Sequence, residues 1–162
     1  MIIRKAKISD LEQITKLWII FTKEHDKLII DTDPRIKEYT KKKKDAHINF
    51  KNYIKKCIYS KNANVFVAQI NQDLVGYSLN TINKNIPIFT IEKLGYVSDL
   101  FIKKEYRGKK VSSKFINLAK DWFKSKNIEH MSIKVWPQNK KAYSIYKNWK
   151  FIDQHLEMRR KI

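Results

Sequence analysis

The stretch Asp99-Leu100-Phe101-Ile102-Lys103-Lys104-Glu105-Tyr106-Arg107-Gly108-Lys109-Lys110-Val111-Ser112 sets a strand, a basic turn and the start of an amphipathic helix end to end. The strand reads from Tyr96 to Ile102. The helix reads on to about Lys126, with Val111, Phe115, Leu118 and Trp122 recurring along one face. No Ser, Thr, Asp or Asn stands immediately before Lys109 to cap it, so its first amides are left free. Unused N–H groups, the positive end of the helix dipole and flanking Arg and Lys together suit an anion, a pyrophosphate above all. The same residues also read as a basic surface turn capped by water.

Upstream of this junction, residues 2–6 read as a strand. Ser9 or Asp10 then caps a helix with Leu11, Ile14, Leu17, Trp18 and Phe21 at helical spacing. The pattern breaks from Lys23 to about Asp45, where Asp31, Asp33 and Pro34 are turn signals and Lys41–Lys44 is a basic run. A second helix spans Ala46 to Tyr59, with Phe50, Tyr53, Ile54, Cys57 and Ile58 on one stripe, which places Cys57 in the core. Val65–Ile70 and Leu74–Asn80 form a hairpin about Asn71-Gln72-Asp73. Downstream, Met131–Val135 is a strand and Asn139–Asn148 a short helix capped by Asn139. Phe151 begins one or two closing strands. Strands and helices interleave around one mostly antiparallel sheet, so the class is α/β (α+β) in a single domain over residues 1–162.

Composition narrows the function classes. No run of apolar residues is long enough for a membrane helix, and Met1–Lys7 lacks the pattern of a secretory signal. Cys57 is the only cysteine, which excludes an internal disulfide, a redox pair and a thiolate zinc cluster. A cytoplasmic location is the expectation. His25, His47, His130 and His155 are dispersed without ligand spacing, so no catalytic metal is expected. The net charge is +19, and all but five of the 35 basic residues are lysine scattered along the chain. Nucleic-acid readers favour the bidentate guanidinium of arginine, so nucleic acid is not the expected partner.

The set Asp99-Leu100-Phe101-Ile102, Tyr106-Arg107-Gly108, Asn139, Ala142, Ile145-Tyr146-Lys147 and Phe151 resembles the GNAT superfamily of N-acetyltransferases. The resemblance implies a sheet splayed between its fourth and fifth strands, with acetyl-CoA wedged in the opening. It implies contacts from Leu100, Phe101 and Ile102 of the fourth strand and from Arg107, Gly108, Lys109, Lys110, Val111 and Ser112 of the pyrophosphate loop. Asn139 and Tyr143 lie near the cofactor in the same comparison. Lys110 and Ser112 stand where the family's motif has glycines, and Lys150 replaces the glycine usual before Phe151. Some relatives pair into homodimers through the closing strands.

Acetyl transfer to an amine needs a neutral nucleophile, donors for the developing oxyanion and a proton for the departing thiolate. Amides near Leu100 to Ile102 suit the second need. The resemblance gives the third to Tyr146, with Tyr143 as the alternative; spacing alone also allows Tyr146 to be core. Asp99 is either the base or a strand-end residue paired with lysine. The acids Asp26, Asp31 and Asp33 lie in the region that lines the acceptor site of the family, where they would attract a cationic amine of a small molecule or protein. Turn formation accounts for Asp31 and Asp33 equally well. Two other classes fit the same sequence: a CoA-binding fold without turnover, because of the replaced glycines, and a basic nucleic-acid-binding module.

Overall fold

The computed structural model describes residues 1–162. Five strands, β1 (Ile2–Lys5), β2 (Ala63–Ile70), β3 (Asp73–Lys84), β4 (Lys93–Ile102) and β5 (Met131–Ile133), lie side by side in chain order. The first three junctions are antiparallel and the β4–β5 junction is parallel. Helices α1 (Leu11–Thr32), α2 (Lys37–Thr40) and α3 (Ala46–Tyr59) precede β2; α4 (Val111–Lys124) joins β4 to β5, and α5 (Lys140–Asn148) follows β5. No helix is long and apolar enough to cross a membrane.

The sheet is covered on both faces. Alternation along β2 sends Val65 and Val67 to one side, against Ile14 and Leu17 of α1 and Ile54 and Cys57 of α3. Phe66 and Ala68 go to the other side, against Val111 and Phe115 of α4. Burial on both faces is why β2 reads as an almost unbroken apolar run. Further along α4, Ile116, Ala119 and Phe123 pack on Val97. Gly95 makes that approach close, since a Cβ there would lie 2.7–2.8 Å from the Phe123 ring.

Two expectations from the sequence are corrected. The first helix does not stop near Lys23 but runs to Thr32, so Glu24, His25, Asp26 and Asp31 are helical. Its later turns are held by Ile29, which is fully buried, and by the half-buried His25, a polar-looking residue that continues the apolar stripe. The break falls instead at Asp33, whose carboxylate accepts from the Arg35 amide at 3.1 Å and whose successor Pro34 opens a 3-10 turn. Asp10 precedes α1 but does not cap it with its side chain; it accepts from the Lys7 amide at 2.7 Å and from both Arg4 Nη atoms, tying β1 to the helix start.

The second correction concerns the closing strands, because residues 151–162 form none. Ile152, Leu156 and Met158 remain exposed. With three residues, β5 offers an outer edge too short to recruit them. The α3 span, the buried Cys57 and the Asn139 cap agree with the sequence reading: Asn139 Oδ1 accepts from the Ala142 amide at 3.1 Å.

Candidate active site

The β4–β5 ladder is short. Gly95, Tyr96 and Val97 pair with Met131, Ser132 and Ile133, and beyond them β4 continues without a neighbour on that side. A bulge lies at the same place, since Leu79 faces Asp99 while Asn80 faces Val97, leaving Ser98 as the extra residue. The extra residue reverses the alternation. Asp99 and Phe101 therefore face the α1/α3 side with Tyr77, whereas Leu100 and Ile102 face α4. The backbone reverses too: the Lys103 amide bonds Val75 O of β3 at 2.9 Å, which turns the N–H groups of Leu100 and Ile102 toward the open side. The Ile102 carbonyl is met there by Arg107 Nε at 2.8 Å. The open half of β4 is thus a row of unpaired backbone donors lining a slot.

The slot ends at the α4 N-terminus. Lys104–Tyr106 forms one 3-10 turn, Gly108 has φ +80° with open space where a Cβ would be, and Lys110 has φ 58°, in the left-handed region. No side chain caps α4. A left-handed lysine costs about 1–2 kcal/mol, so Lys110 fills a glycine-like position at a modest penalty. Its side chain is exposed, as is that of Lys109, whose Nζ lies 5.4 Å from the Tyr106 ring centroid. Arg107 is held from three sides: by the Ile102 carbonyl, by the Phe101 ring 5.6 Å away and by the Glu24 carboxylate of α1. Uncapped amides, an open Gly108 and clustered cations fit a pyrophosphate. Across the slot, the buried Gln138 Oε1 has no hydrogen-bond partner, an acceptor suited to an amide N–H of a bound ligand.

Asp99 stands on the other side of the bulge. Its Oδ2 accepts from the fully buried Tyr77 hydroxyl at 2.8 Å. Burial pushes its carboxyl up to about 6, although the Tyr77 bond opposes the shift. Burial raises the phenols of Tyr53 and Tyr96 and the thiol of Cys57, and the charge of Asp99 adds to each shift. Tyr96 in turn acts on Tyr146 of α5, whose phenol is raised to about 12, mainly by burial. Tyr146 is stacked on Trp149 with centroids 5.6 Å apart and its carbonyl accepts from the Phe151 amide at 3.1 Å. Lys150 has φ 67° in that turn, the position where the family's usual glycine is replaced. Tyr96 therefore lies within electrostatic reach of both Asp99 and Tyr146.

The remaining predicted residues are placed apart. Tyr143, one turn before Tyr146, donates to Asp153 at 2.9 Å on the surface. Asp26 pairs with Lys42 and lies 3.9 Å from His25 Nδ1, Asp33 is engaged by Arg35, and Asp31 is exposed near the end of α1. They do not converge on Asp99. Sequence reasoning missed Tyr53, Tyr77, Tyr96, Gln138, the Glu24–Arg107 tie and the contact of His25 with Trp136, whose ring centroids are 6.2 Å apart. The Glu24 and His25 contacts hold α1 against both walls of the slot.

Comparison with known proteins agrees with this geometry. The model of the Acetyltransferase (GNAT) family matches residues 25–151. The crystal structure of a mutant BH1408 protein from Bacillus halodurans superimposes with a TM-score of 0.82 at 18% identity, covering 100% of this chain and 99% of that one. A predicted acetyltransferase from Clostridium acetobutylicum, crystallised with acetyl-CoA, gives 0.74 at 16% identity, covering 98% and 95%. The aminoglycoside antibiotic 6'-N-acetyltransferase AAC(6')-IG from Acinetobacter haemolyticus gives 0.71 at 13% identity, covering 100% and 99%. No curated protein sequence matches the chain. With the family model spanning most of the sequence and the splayed β4–β5 junction in place, the chain belongs to the GNAT acetyltransferase family.

Proposed function

We propose that the whole chain works as one N-acetyltransferase domain that acetylates a primary amine by direct attack. Acetyl-CoA, the acyl donor of the family, supplies the acetyl group already activated as a thioester. The amides from Gly108 to Ser112 with Arg107, Lys109 and Lys110 would hold its pyrophosphate; Leu100, Phe101, Ile102, Gln138 and Asn139 would line the rest of the slot, whereas Tyr143 stays at the surface with Asp153. The observation that carries the reading is the bulge, which sets a buried carboxylate and a row of free amides on adjacent positions of one strand.

Each chemical demand then has a residue. Asp99 takes the proton from the acceptor ammonium, and a carboxyl near 6 is mostly ionised at neutral pH yet basic enough to do so. The amides of Leu100 and Ile102 donate to the developing oxyanion. Tyr146 keeps its phenolic proton throughout the physiological range and delivers it to the leaving sulfur as the C–S bond breaks. Of Asp26, Asp31 and Asp33, only Asp31 is left without an ion pair to attract a cationic acceptor, because Lys42 engages Asp26 and Arg35 engages Asp33. A CoA-binding protein without turnover is the second reading, favoured by Lys110 in the left-handed conformation. Titration with acetyl-CoA, followed by thiol release with a panel of amines, separates the two. Acetyl-CoA binding with no amine-dependent thiol release would leave only the second.

A further inference from the structure

Tyr77 is the largest side chain that the protein buries completely. Its ring lies 6.3 Å from Phe50 of α3 and 6.5 Å from Phe101 of β4, and Phe50 is itself stacked on Trp18 of α1 at 4.5 Å. Packing from three elements thus fixes its orientation. A phenylalanine would fill the same apolar space, so the hydroxyl calls for a separate explanation. It makes one hydrogen bond, to Asp99 Oδ2 at 2.8 Å. Asp99 depends on that bond in turn: no Lys, Arg or His pairs with its carboxylate, and no other side chain donates to it. The titratable groups that share its field are Tyr96 of β4 and Tyr53 and Cys57 of α3, each made less acidic by burial and so neutral. The bulge makes the pairing possible. Tyr77 faces Phe101 and Leu79 faces Asp99, which leaves Tyr77 and Asp99 diagonal neighbours on one face of the sheet. Had the register run on unbroken from Asn80 and Val97, Asp99 would face Ser78 on the opposite side.

Building on the transferase reading, we propose that Tyr77 is a positioning residue for the reaction: its hydroxyl holds the Asp99 carboxylate by Oδ2 and leaves Oδ1 to receive the proton of the acceptor ammonium. Tyr77 has no exposed surface and Asp99 keeps some, so the acceptor meets the acid and not the phenol. In the step itself an N–H bond of the ammonium breaks, its proton forms an O–H bond at Oδ1, and the electron pair stays on nitrogen for attack at the thioester. A fixed Oδ2 keeps the free oxygen from rotating out of line during that transfer. The phenol stays protonated at every pH at which the enzyme would work, because burial raises it well above its ordinary value. It therefore donates throughout. A hydrogen bond to an ionised carboxylate favours the charged form, so with no cation nearby Tyr77 is what allows Asp99 to be ionised at neutral pH.

Tyr77→Phe removes the hydroxyl and keeps the ring, and the test is its pH profile beside that of the parent, with acetyl-CoA and whichever amine of a panel the parent acetylates. Rates are taken per folded molecule, with melting curves for each variant. The inflection in kcat/KM is expected to move upward by about one to two pH units. At pH 6 the rate then falls roughly 10–100-fold, and it returns toward the parent's above about pH 8. In an Asp99→Asn background the same change should alter the residual rate by no more than about twofold, because the carboxylate it serves is gone. Carbon-13 NMR titration of the Asp99 carboxyl reads the same shift without an acceptor. A loss of equal size at every pH, an unmoved carboxyl titration, or an undiminished effect in the Asp99→Asn background each overturn the inference and leave the transferase reading standing. Acetyl-CoA binding by the parent with no amine acetylated overturns both.

Discussion

The two halves of β4 share one strand and do opposite work. From Gly95 to Val97 the strand has neighbours on both sides and a glycine pressed against Phe123; from Ser98 to Ile102 it has a neighbour on one side and holds a buried acid beside free amides. One extra residue, Ser98, separates them. In the doubly paired part the backbone is bonded into both neighbouring strands, and Val97 and Gly95 pack against α4. In the second, the donors lack partners and a carboxylate is kept in an environment that resists its charge. That contrast locates where stability has been given up for reactivity.

The comparison is broken most severely at Asp99. Asp99→Asn keeps an acceptor for the Tyr77 hydroxyl but removes the base, and kcat/KM is expected to fall about 10²–10⁴-fold. In the unaltered enzyme kcat/KM should rise with pH up to about 6, the value of the buried carboxyl, and level off above it. The variant's residual rate should lack that inflection, and a pH profile from 5 to 8 distinguishes the two.

Gly95 tests the other half. A methyl group there would meet the buried Phe123 ring at 2.7–2.8 Å, so Gly95→Ala is expected to cost about 1–3 kcal/mol. Denaturant titration should show the loss, while kcat/KM per folded molecule changes far less than in Asp99→Asn.

Asp99→Asn should also move stability the other way. The folded-state value of Asp99, about 6, lies above its ordinary 3.8, so the folded chain holds this proton more tightly than the unfolded one. Stability is therefore lost as pH rises from about 4 to 6, by up to roughly 3 kcal/mol. The variant escapes that loss and should melt higher than the parent above pH 6, by about 2–4 °C per kcal/mol.

The smallest effects belong to two lysines in left-handed turns, Lys110 at the slot and Lys150 beyond α5. Replacing either by glycine relieves about 1–2 kcal/mol of strain and loses about 0.5–1 to chain entropy. A net gain of roughly 0.5–1 kcal/mol in melting experiments is expected from each. Only the change at Lys110 should alter acetyl-CoA affinity in a calorimetric titration.

Legibility in the sequence follows the same division. The packed parts were readable: α3 appears over its observed span because Phe50, Ile54 and Cys57 recur at helical spacing and are buried. The uncapped helix start after a basic turn was readable because it depends on missing caps and clustered cations, both local properties. The end of α1 was not, because Glu24, His25 and Asp26 hide a stripe completed by a half-buried histidine and by Ile29. Tyr77 was not, because an alternating strand marks it as core without showing that its hydroxyl meets an acid 22 positions away. The bulge itself leaves no mark in a single sequence, since Ser98 looks like any strand residue.

The rings beside the slot have a practical consequence. Trp149 lies against Tyr146, and Trp136 meets His25 at the crossing of α1 and the β5–α5 connection. Two of the four indoles thus flank the places where donor and acceptor would enter. Their intrinsic fluorescence gives an unlabelled optical readout of loading, in which emission from W136F and W149F variants assigns the signal to one wall or the other.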